Sequence, residues 1–244
     1  MKSIKDLISS SITLGIAISI ASLGLSYGVT AASSSTATNK LSTIQSRAAK
    51  EIDQRLTTLG NLSTQVANST KLSLADQTSL NAEISSETTG LTTLKTQIAA
   101  DTTADQASTD EATIFTDYRV YAVVVSKVGL LTIADNQQTI EAKLTTLAQN
   151  LQVKITDDQT DGKSSTSVAA AQTELTSMTS QITDAHQIST TIENDVSPVL
   201  PSNWNANHNI FSGDNTQLTS AYHENQIASS DANNIASILR SIKS

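Results

Sequence analysis

The acidic stretch DDQTDG, residues 157–162, comes closer than any other part of this chain to a metal-binding loop. The first, third, fifth and sixth positions of a calcium-loop pattern are filled by Asp157, Gln159, Asp161 and Gly162. The twelfth position is Val168, where such a loop needs a glutamate that binds calcium through both oxygens. We therefore predict an acidic turn between helices. Calorimetry with millimolar calcium should show no saturable binding.

Three histidines are the other candidate metal ligands. His186, His208 and His223 are far apart, and no two have the four-residue spacing with which one helix presents a zinc site. The chain has no cysteine, so it has no thiolate ligand or thiol nucleophile. It also contains neither a GxSxG nucleophile elbow nor a phosphate-binding loop. We predict no catalytic residue, no metal and no cofactor, and hence a protein that is not an enzyme.

The stretch FTDYRVYAVVVSKVGLL, residues 115–131, is the candidate binding region. Aromatic residues make up only 3% of the chain, yet three fall within seven positions here: Phe115, Tyr118 and Tyr121. Tyrosine and arginine are frequent anchors of protein interfaces, so Arg119 among these rings could be a contact residue. The interpretation that we favour is structural. In that case the tyrosine rings are buried with their hydroxyl groups at the rim, and Arg119 pairs with a carboxylate such as Asp117 or Glu111.

A second aromatic group, Trp204 and Phe211, follows the proline-containing stretch SPVLPSN. If the preceding helix folds back along the chain, it returns to the level of residues 121–128. We then expect this group to pack on that segment, with the candidate partners Tyr121, Val124, Val125 and Val128. Such a junction would explain why the segment is apolar on more than one side.

Apolar residues recur at steps of three and four along the chain after residue 39, which predicts amphipathic helices. We predict five long helices, over about residues 39–68, 74–101, 105–155 and 164–196, and from Leu218 to Ile242. Either Asp105 or Ser108 is the expected cap of the third helix, and Gly162 is expected to adopt a left-handed conformation after it. The chain has only two prolines and eight glycines, a scarcity that suits long helices.

The lengths of these helices suggest an architecture. The third would span ~75 Å, whereas the first two would span ~45 Å each, at about 1.5 Å per residue. The short helices can pair only with its first half, and the last two helices with its second half. We predict an all-α fold of elongated antiparallel bundles, in which two spectrin-like three-helix bundles share one long central helix. The corresponding domains are residues 32–128 and 129–244.

The N-terminus predicts export. Lys2 and Lys5 precede a largely apolar stretch over residues 7–29, and VTA, ending at Ala31, provides small residues at the cleavage positions. Residues 1–31 are thus a signal peptide, or alternatively an uncleaved membrane anchor, because the apolar stretch is long enough to span a bilayer. Both alternatives place the remaining chain outside the cytoplasm. Mass spectrometry should find a mature chain that begins near Ala32.

Charge and composition narrow the possible partners. The chain carries 15 basic and 23 acidic residues, a net charge of −8, and loss of the signal's two lysines and one aspartate would make it −9. Nucleic acid and anionic lipid both require a basic patch, so neither is an expected partner. We expect an unknown protein or a component of the cell envelope. Contact with a membrane is expected only through the N-terminal segment, if it is uncleaved.

Five segments in order resemble a group of uncharacterised exported proteins from small-genome bacteria of the candidate phyla: AAKEIDQRLTTL, KLSLADQTSLNAEI, LTTLKTQIAADT, DYRVYAVVVSK and IADNQQTIEAKLTTLAQNL. The resemblance covers about residues 45–152 and is most specific at Tyr118, Arg119, Tyr121 and residues 50–55. Members often carry a proline at the position of Ser126, which implies a bend in the third helix. The resemblance implies an exported helical protein and provides no activity.

These observations predict an exported, non-enzymatic helical protein of the cell surface, cell envelope or extracellular space. It would act as a structural spacer or contact protein. The alternative is an extracellular binding module that uses the aromatic regions Phe115–Val128 and Trp204–Phe211. Exposed aromatic rings would favour the binding module, and buried rings would favour the spacer.

Overall fold

The computed structural model describes residues 37–242, so the predicted signal peptide or anchor lies outside the described residues. Within this range the chain forms seven α-helices: α1 (Ala37–Ala67), α2 (Leu74–Ala100), α3 (Ala104–Thr116), α4 (Val125–Thr160), α5 (Ser165–Val196), α6 (Pro201–Ala206) and α7 (Asp214–Ser241). A π-helical turn, Val120–Val124, leads directly into α4 and is called the π turn below. Residues 37–242 contain no strand, which confirms the predicted all-α class.

Local sequence signals account for most helix ends. The side chain of Ser73 caps α2 by accepting a hydrogen bond from the Asp76 backbone N–H at 3.0 Å. Gly162 has φ of +67° just after α4, as predicted. The predicted cap of the next helix was wrong, because Thr103 caps α3 by accepting from the backbone N–H of Gln106. Neither Asp105 nor Ser108 takes that position.

The predicted third helix is not continuous. Helix α3 ends at Thr116, residues 117–119 are not helical, and the π turn precedes α4. The π turn contains one extra residue per turn and rotates the face that follows it. The core positions therefore shift: Val120, Val123 and Val124 are fully buried, whereas Tyr121 is exposed. An uninterrupted helix over residues 105–155 would have placed Tyr118, Tyr121 and Val125 on one apolar face.

Two apolar clusters form the core of the described residues. Helices α1, α2 and α3, the π turn and the first part of α4 build the first cluster, which also receives Ile192, Val196 and Leu218. The second half of α4, together with α5 and α7, builds the second cluster. The first cluster continues along α4 to Ala134, past the domain boundary predicted after residue 128. That boundary stays a prediction.

A layer of buried polar side chains separates the two clusters. Its members lie on α4, α5 and α7: Asp135, Gln137, Glu141, Ser189 and Asn225. The Asn225 amide donates to Gln137 Oε1 at 2.9 Å, and the Ser189 hydroxyl donates to Glu141 Oε1 at 2.9 Å. These hydrogen bonds offset the cost of burial and connect α4 to both neighbouring helices.

The length and hydropathy of each described helix determine whether it could span a membrane. Among residues 37–242, no helix combines the length and the apolar character needed to cross a bilayer.

Candidate functional site

The aromatic stretch divides into a buried part and an exposed part. Of the three valines of the π turn, Val120 and Val124 belong to the first apolar cluster, and Val123 is also fully buried. By contrast, Phe115 is 39% exposed and Tyr121 is 48% exposed. The valines therefore serve the core, whereas these two rings form part of the surface. The predicted burial of the tyrosine rings does not hold for Tyr121, because the break before the π turn rotates this ring away from the core.

An arginine from α1 lies between the two exposed rings. The guanidinium carbon of Arg55 is 4.9 Å from the ring centre of Phe115 and 5.2 Å from that of Tyr121. Arg55 is only 6% exposed, and its Nη1 donates to the Glu51 carboxylate at 2.8 Å. Its Nε has no hydrogen-bond partner among residues 37–242. The rings stabilise the buried charge by cation–π attraction. We call Phe115, Arg55 and Tyr121 the aromatic surface.

Arg119 does not pair with the carboxylates predicted for it, Asp117 or Glu111. Its Nε donates to Asn205 Oδ1 at 2.9 Å, and the Asn205 amide donates to the carbonyl of Thr116 at 2.7 Å. Glu111 instead forms an ion pair with an arginine of α1. The difference arises because α6 lies against the end of α3, where the last carbonyl groups of that helix need donors.

The second aromatic group lies in the segment that returns to this region. Helix α6 contacts both α3 and the π turn, and Phe211 packs on the first apolar cluster. Trp204 is half-buried, with ring-centre distances of 5.6 Å to His208 and 6.4 Å to Phe211. These ring neighbours belong to its own segment. Packing of Trp204 on the stretch from Tyr121 to Val128 stays a prediction.

Trp204→Ala is expected to lower the free energy of unfolding by about 1–2 kcal/mol, because the ring is only half-buried and loses less than a core aromatic would. Thermal melting measures the change, and the emission maximum of the single tryptophan should report a partly shielded indole. Leu200→Ala is the control, since Leu200 is 55% exposed and should melt like the parent. Equal melting of both variants would contradict the packing of Trp204.

Three carboxylates from different helices meet at Asp135, which is a member of the polar layer. Oxygen atoms of Asp76 on α2, Asp135 on α4 and Glu193 on α5 all lie within 4.8 Å of one another. Asp135 accepts a hydrogen bond from the backbone N–H of Ser73 at 2.6 Å. Burial raises the pKa of Asp135 to about 6, with Asp76 and Glu193 adding to the rise and the Ser73 N–H opposing it. Like charges at this spacing destabilise the folded state at neutral pH.

Asp135→Asn is expected to raise the free energy of unfolding at pH 8 by about 1 kcal/mol, since the neutral amide removes one of three clustered charges. The folded-state pKa of Asp135 is raised, so its stabilising contribution is present at low pH and is lost as pH rises through about 6. The variant should therefore lose part of the pH dependence seen in urea unfolding between about pH 5 and 8. Asp157→Asn is the control: this residue is exposed, so the variant should keep the pH dependence of the parent. A variant less stable than the parent at pH 8 would contradict the repulsion.

A second charged cluster joins α2 to α4. The ammonium of Lys127, a residue only 2% exposed, donates to both oxygens of Glu83, at 3.0 and 2.8 Å. One helical turn along α2, Glu87 Oε2 is buried and has no hydrogen-bond partner in the described part of the chain. Burial raises the pKa of Glu87 to about 7, with a further rise from Glu83 and an opposing effect from Lys127. Burial, together with the charges of Glu87 and Asp117, also raises the pKa of Tyr118.

The residues considered as metal ligands in the sequence do not come together in the structure of residues 37–242. Asp157 and Gln159 still belong to α4, which continues to Thr160, and both are exposed along with Asp161. His186 Nδ1 lies 2.9 Å from Glu141, whereas His208 lies beside Trp204. His223 is exposed on α7.

Comparison with known proteins provides no match from which a function could be inferred. No protein-family model, no curated protein and no solved structure matches this chain. The resemblance of residues 45–152 to exported proteins of candidate-phyla bacteria therefore stays a prediction. The function has to be inferred from the aromatic surface, the charged clusters and the packing of the helices.

Proposed function

We propose that this protein is an exported, non-enzymatic helical spacer or contact protein of the cell surface or envelope. The observation that carries the proposal is that α4 contributes to both apolar clusters. A helix shared in this way is the element that two tandem three-helix bundles, arranged as in spectrin-like rods, would have in common. Separate core clusters along one helix suit an elongated molecule better than a spherical one.

The surface chemistry agrees with a spacer. Many exposed threonines turn their hydroxyl groups to the carbonyl four residues earlier, as Thr57, Thr64 and Thr176 do at 2.9–3.1 Å. Such residues satisfy their own polar groups and leave a neutral, hydrated helix face. The negative net charge further favours a protein or an envelope component over nucleic acid as the partner.

Two measurements test this proposal. Small-angle scattering of the mature chain should give a radius of gyration well above roughly 17 Å, the value for a compact domain of this length. Protease added to intact cells should digest the protein while leaving a cytoplasmic marker whole. A compact radius would remove the spacer function, and full protection from protease would remove the surface location.

An extracellular binding module is the second candidate, and the exposure of the aromatic surface favours it. Phe115 and Tyr121 are exposed, and Arg55 holds the two rings in place. Fixed aromatic rings make good anchors because little conformational freedom is lost on binding. The aromatic group Trp204–Phe211 would belong to the same module through the contact of α6 with the π turn.

Cross-linking from intact cells separates the two candidates. Replacing both Phe115 and Tyr121 with serine should abolish a cross-linked partner if the aromatic surface binds it, without lowering the melting temperature by more than a few degrees. Leu74→Ser is the matched control, because Leu74 is 80% exposed and lies outside the aromatic surface. Retention of the partner by the double variant would favour the spacer.

A further inference from the structure

Glu87 is a carboxyl group for which the fold provides no counter-charge of its own. The one buried ammonium nearby, on Lys127, directs its hydrogen bonds to both oxygens of Glu83. Glu87 lies four residues beyond Glu83 on the same face of α2, and its Oε2 is buried without a partner in residues 37–242. Two carboxylates therefore share one cation in a site that excludes water from that oxygen.

The buried cation of α1, Arg55, donates to Glu51 and lies between the rings of Phe115 and Tyr121, so its charge already has partners. Helix α1 lies opposite this part of α2, as shown by the bonds from Ser63 to Asn81 and from Lys95 to Asp53. Between residues 56 and 70, α1 and the turn after it contain no titratable side chain. The segment between α3 and the π turn adds Tyr118 and, beyond it, the acidic Asp117. The charged groups that act on Glu87 are thus Lys127, which lowers its pKa, and Glu83, which raises it.

Tyr118 rests on α2 close to Glu87. A Cβ added to Gly90 would lie 2.5 Å from the Tyr118 hydroxyl oxygen, so the ring lies directly on the bare backbone of α2. Residues 117–119 form no regular helix and connect α3 to the π turn. The attachment of this irregular segment to α2 therefore depends on the same few side chains that surround Glu87.

We propose that Glu83, Glu87, Lys127 and Tyr118 form an acid latch, which holds the segment of residues 117–119 against α2 through Tyr118 when Glu87 is protonated and loosens it when Glu87 is ionised. Protonated Glu87 carries no charge and leaves the Glu83–Lys127 ion pair intact. Ionised Glu87 repels Glu83 and competes with it for the single ammonium. The Oε2 atom of Glu87 is buried, so the folded state relieves the excess negative charge by admitting water between α2 and the ring of Tyr118.

The direction of the pH effect follows from linkage. The pKa of Glu87 is raised in the folded state, so its stabilising contribution is fully present at low pH and is lost as pH rises through about 7. The latch is accordingly closed in mildly acidic solution and loosened in mildly alkaline solution. Opening should be local, because the hydrogen bonds of Lys127 join it to Glu83 and involve no residue of the second apolar cluster or of the polar layer.

Hydrogen exchange of the full chain, followed by mass spectrometry, tests the latch. Peptides covering residues 115–125 should exchange several-fold faster at about pH 8 than at about pH 5.5, after correction for the intrinsic pH dependence of exchange. Glu87→Gln should make exchange slow at both pH values, because the neutral amide cannot repel Glu83. Glu174→Gln, a control on α5, should keep the pH dependence of the parent.

Two results of the exchange experiment would overturn the latch. One is equal corrected exchange of residues 115–125 at both pH values in the parent, and the other is an unchanged pH dependence in Glu87→Gln. A carbon NMR titration of the Glu87 carboxyl provides an independent measurement on the unaltered chain. An apparent pKa close to the ordinary value of 4.5 would also overturn the latch, whereas one near 7 supports it.

Discussion

Lys127→Met is expected to lower the free energy of unfolding by about 3 kcal/mol at pH 8, the magnitude found when one partner of a buried ion pair is removed. Lys127 is 2% exposed and is bonded to both oxygens of Glu83. Methionine fills much of the same volume, so the loss reports the charge more than a cavity. The variant leaves Glu83 and Glu87 facing each other without a cation.

Urea unfolding at two pH values distinguishes this explanation from simple loss of packing. At about pH 5 the loss should be smaller than at about pH 8, because Glu87 is then largely protonated. Lys95→Met is the matched control: its ion pair with Asp53 is exposed, so the change should stay within about 0.5 kcal/mol. Equal losses at both pH values would indicate packing alone, and a loss no larger than that of the control would contradict the ion pair's importance.

The helices could be predicted from the sequence where their apolar faces are regular and their ends carry strong local signals. The predicted limits of the first, second and fourth helices agree within two residues with α1, α2 and α5. In α5 one apolar stripe is buried along the whole helix, because small and polar residues occupy the other faces and only one register of the 3.6-residue repeat buries apolar side chains. The stripe consists of Val168, Leu175, Met178, Ile182, Ala185, Ile192 and Val196. The prolines after α5 then end the pattern without ambiguity.

The break at residues 117–119 could not be predicted, because the repeat loses its phase there. Val123, Val124 and Val125 are consecutive and equally apolar, so several helix registers bury the same amount of surface. Tertiary contacts decide among them: the π turn buries Val123 and Val124, and Val125 is left half-buried. The bend that the resemblance implied at Ser126 lies close to this irregular segment, which ends just before α4.

The candidate site was only partly accessible from the sequence. The aromatic residues stood out by their rarity, but Arg55 did not, although it interrupts the apolar stripe between Ile52 and Leu59. An arginine at a stripe position was the available signal, since a buried charge needs partners. No local sequence pattern indicated that the carboxylates would form clusters. Glu83, Glu87 and Lys127 come together only through the register of α2 against α4, which no local pattern fixes.

Gly90→Ala is expected to lower the free energy of unfolding by about 1–2 kcal/mol, although alanine is the better helix former by about 1 kcal/mol. The new Cβ would lie 2.5 Å from the hydroxyl oxygen of Tyr118 and 2.6 Å from a ring carbon. An aromatic ring is rigid, so it must move as a whole and give up its place on α2. The cost of displacing the ring exceeds the gain in helix propensity.

Gly60→Ala is the matched control, because Gly60 is also inside a helix but a Cβ there meets nothing within 4 Å. This variant should raise the free energy of unfolding by about 0.5–1 kcal/mol. The two substitutions are chemically identical and opposite in expected sign, so urea unfolding of both isolates the contact with Tyr118. Stabilisation by both alanines would show that Tyr118 leaves α2 at little cost. In the double variant Gly90→Ala, Tyr118→Ser the clash is absent, because serine at residue 118 is too short to reach the backbone of α2. The alanine at residue 90 should then cause no loss of stability beyond that of Tyr118→Ser alone.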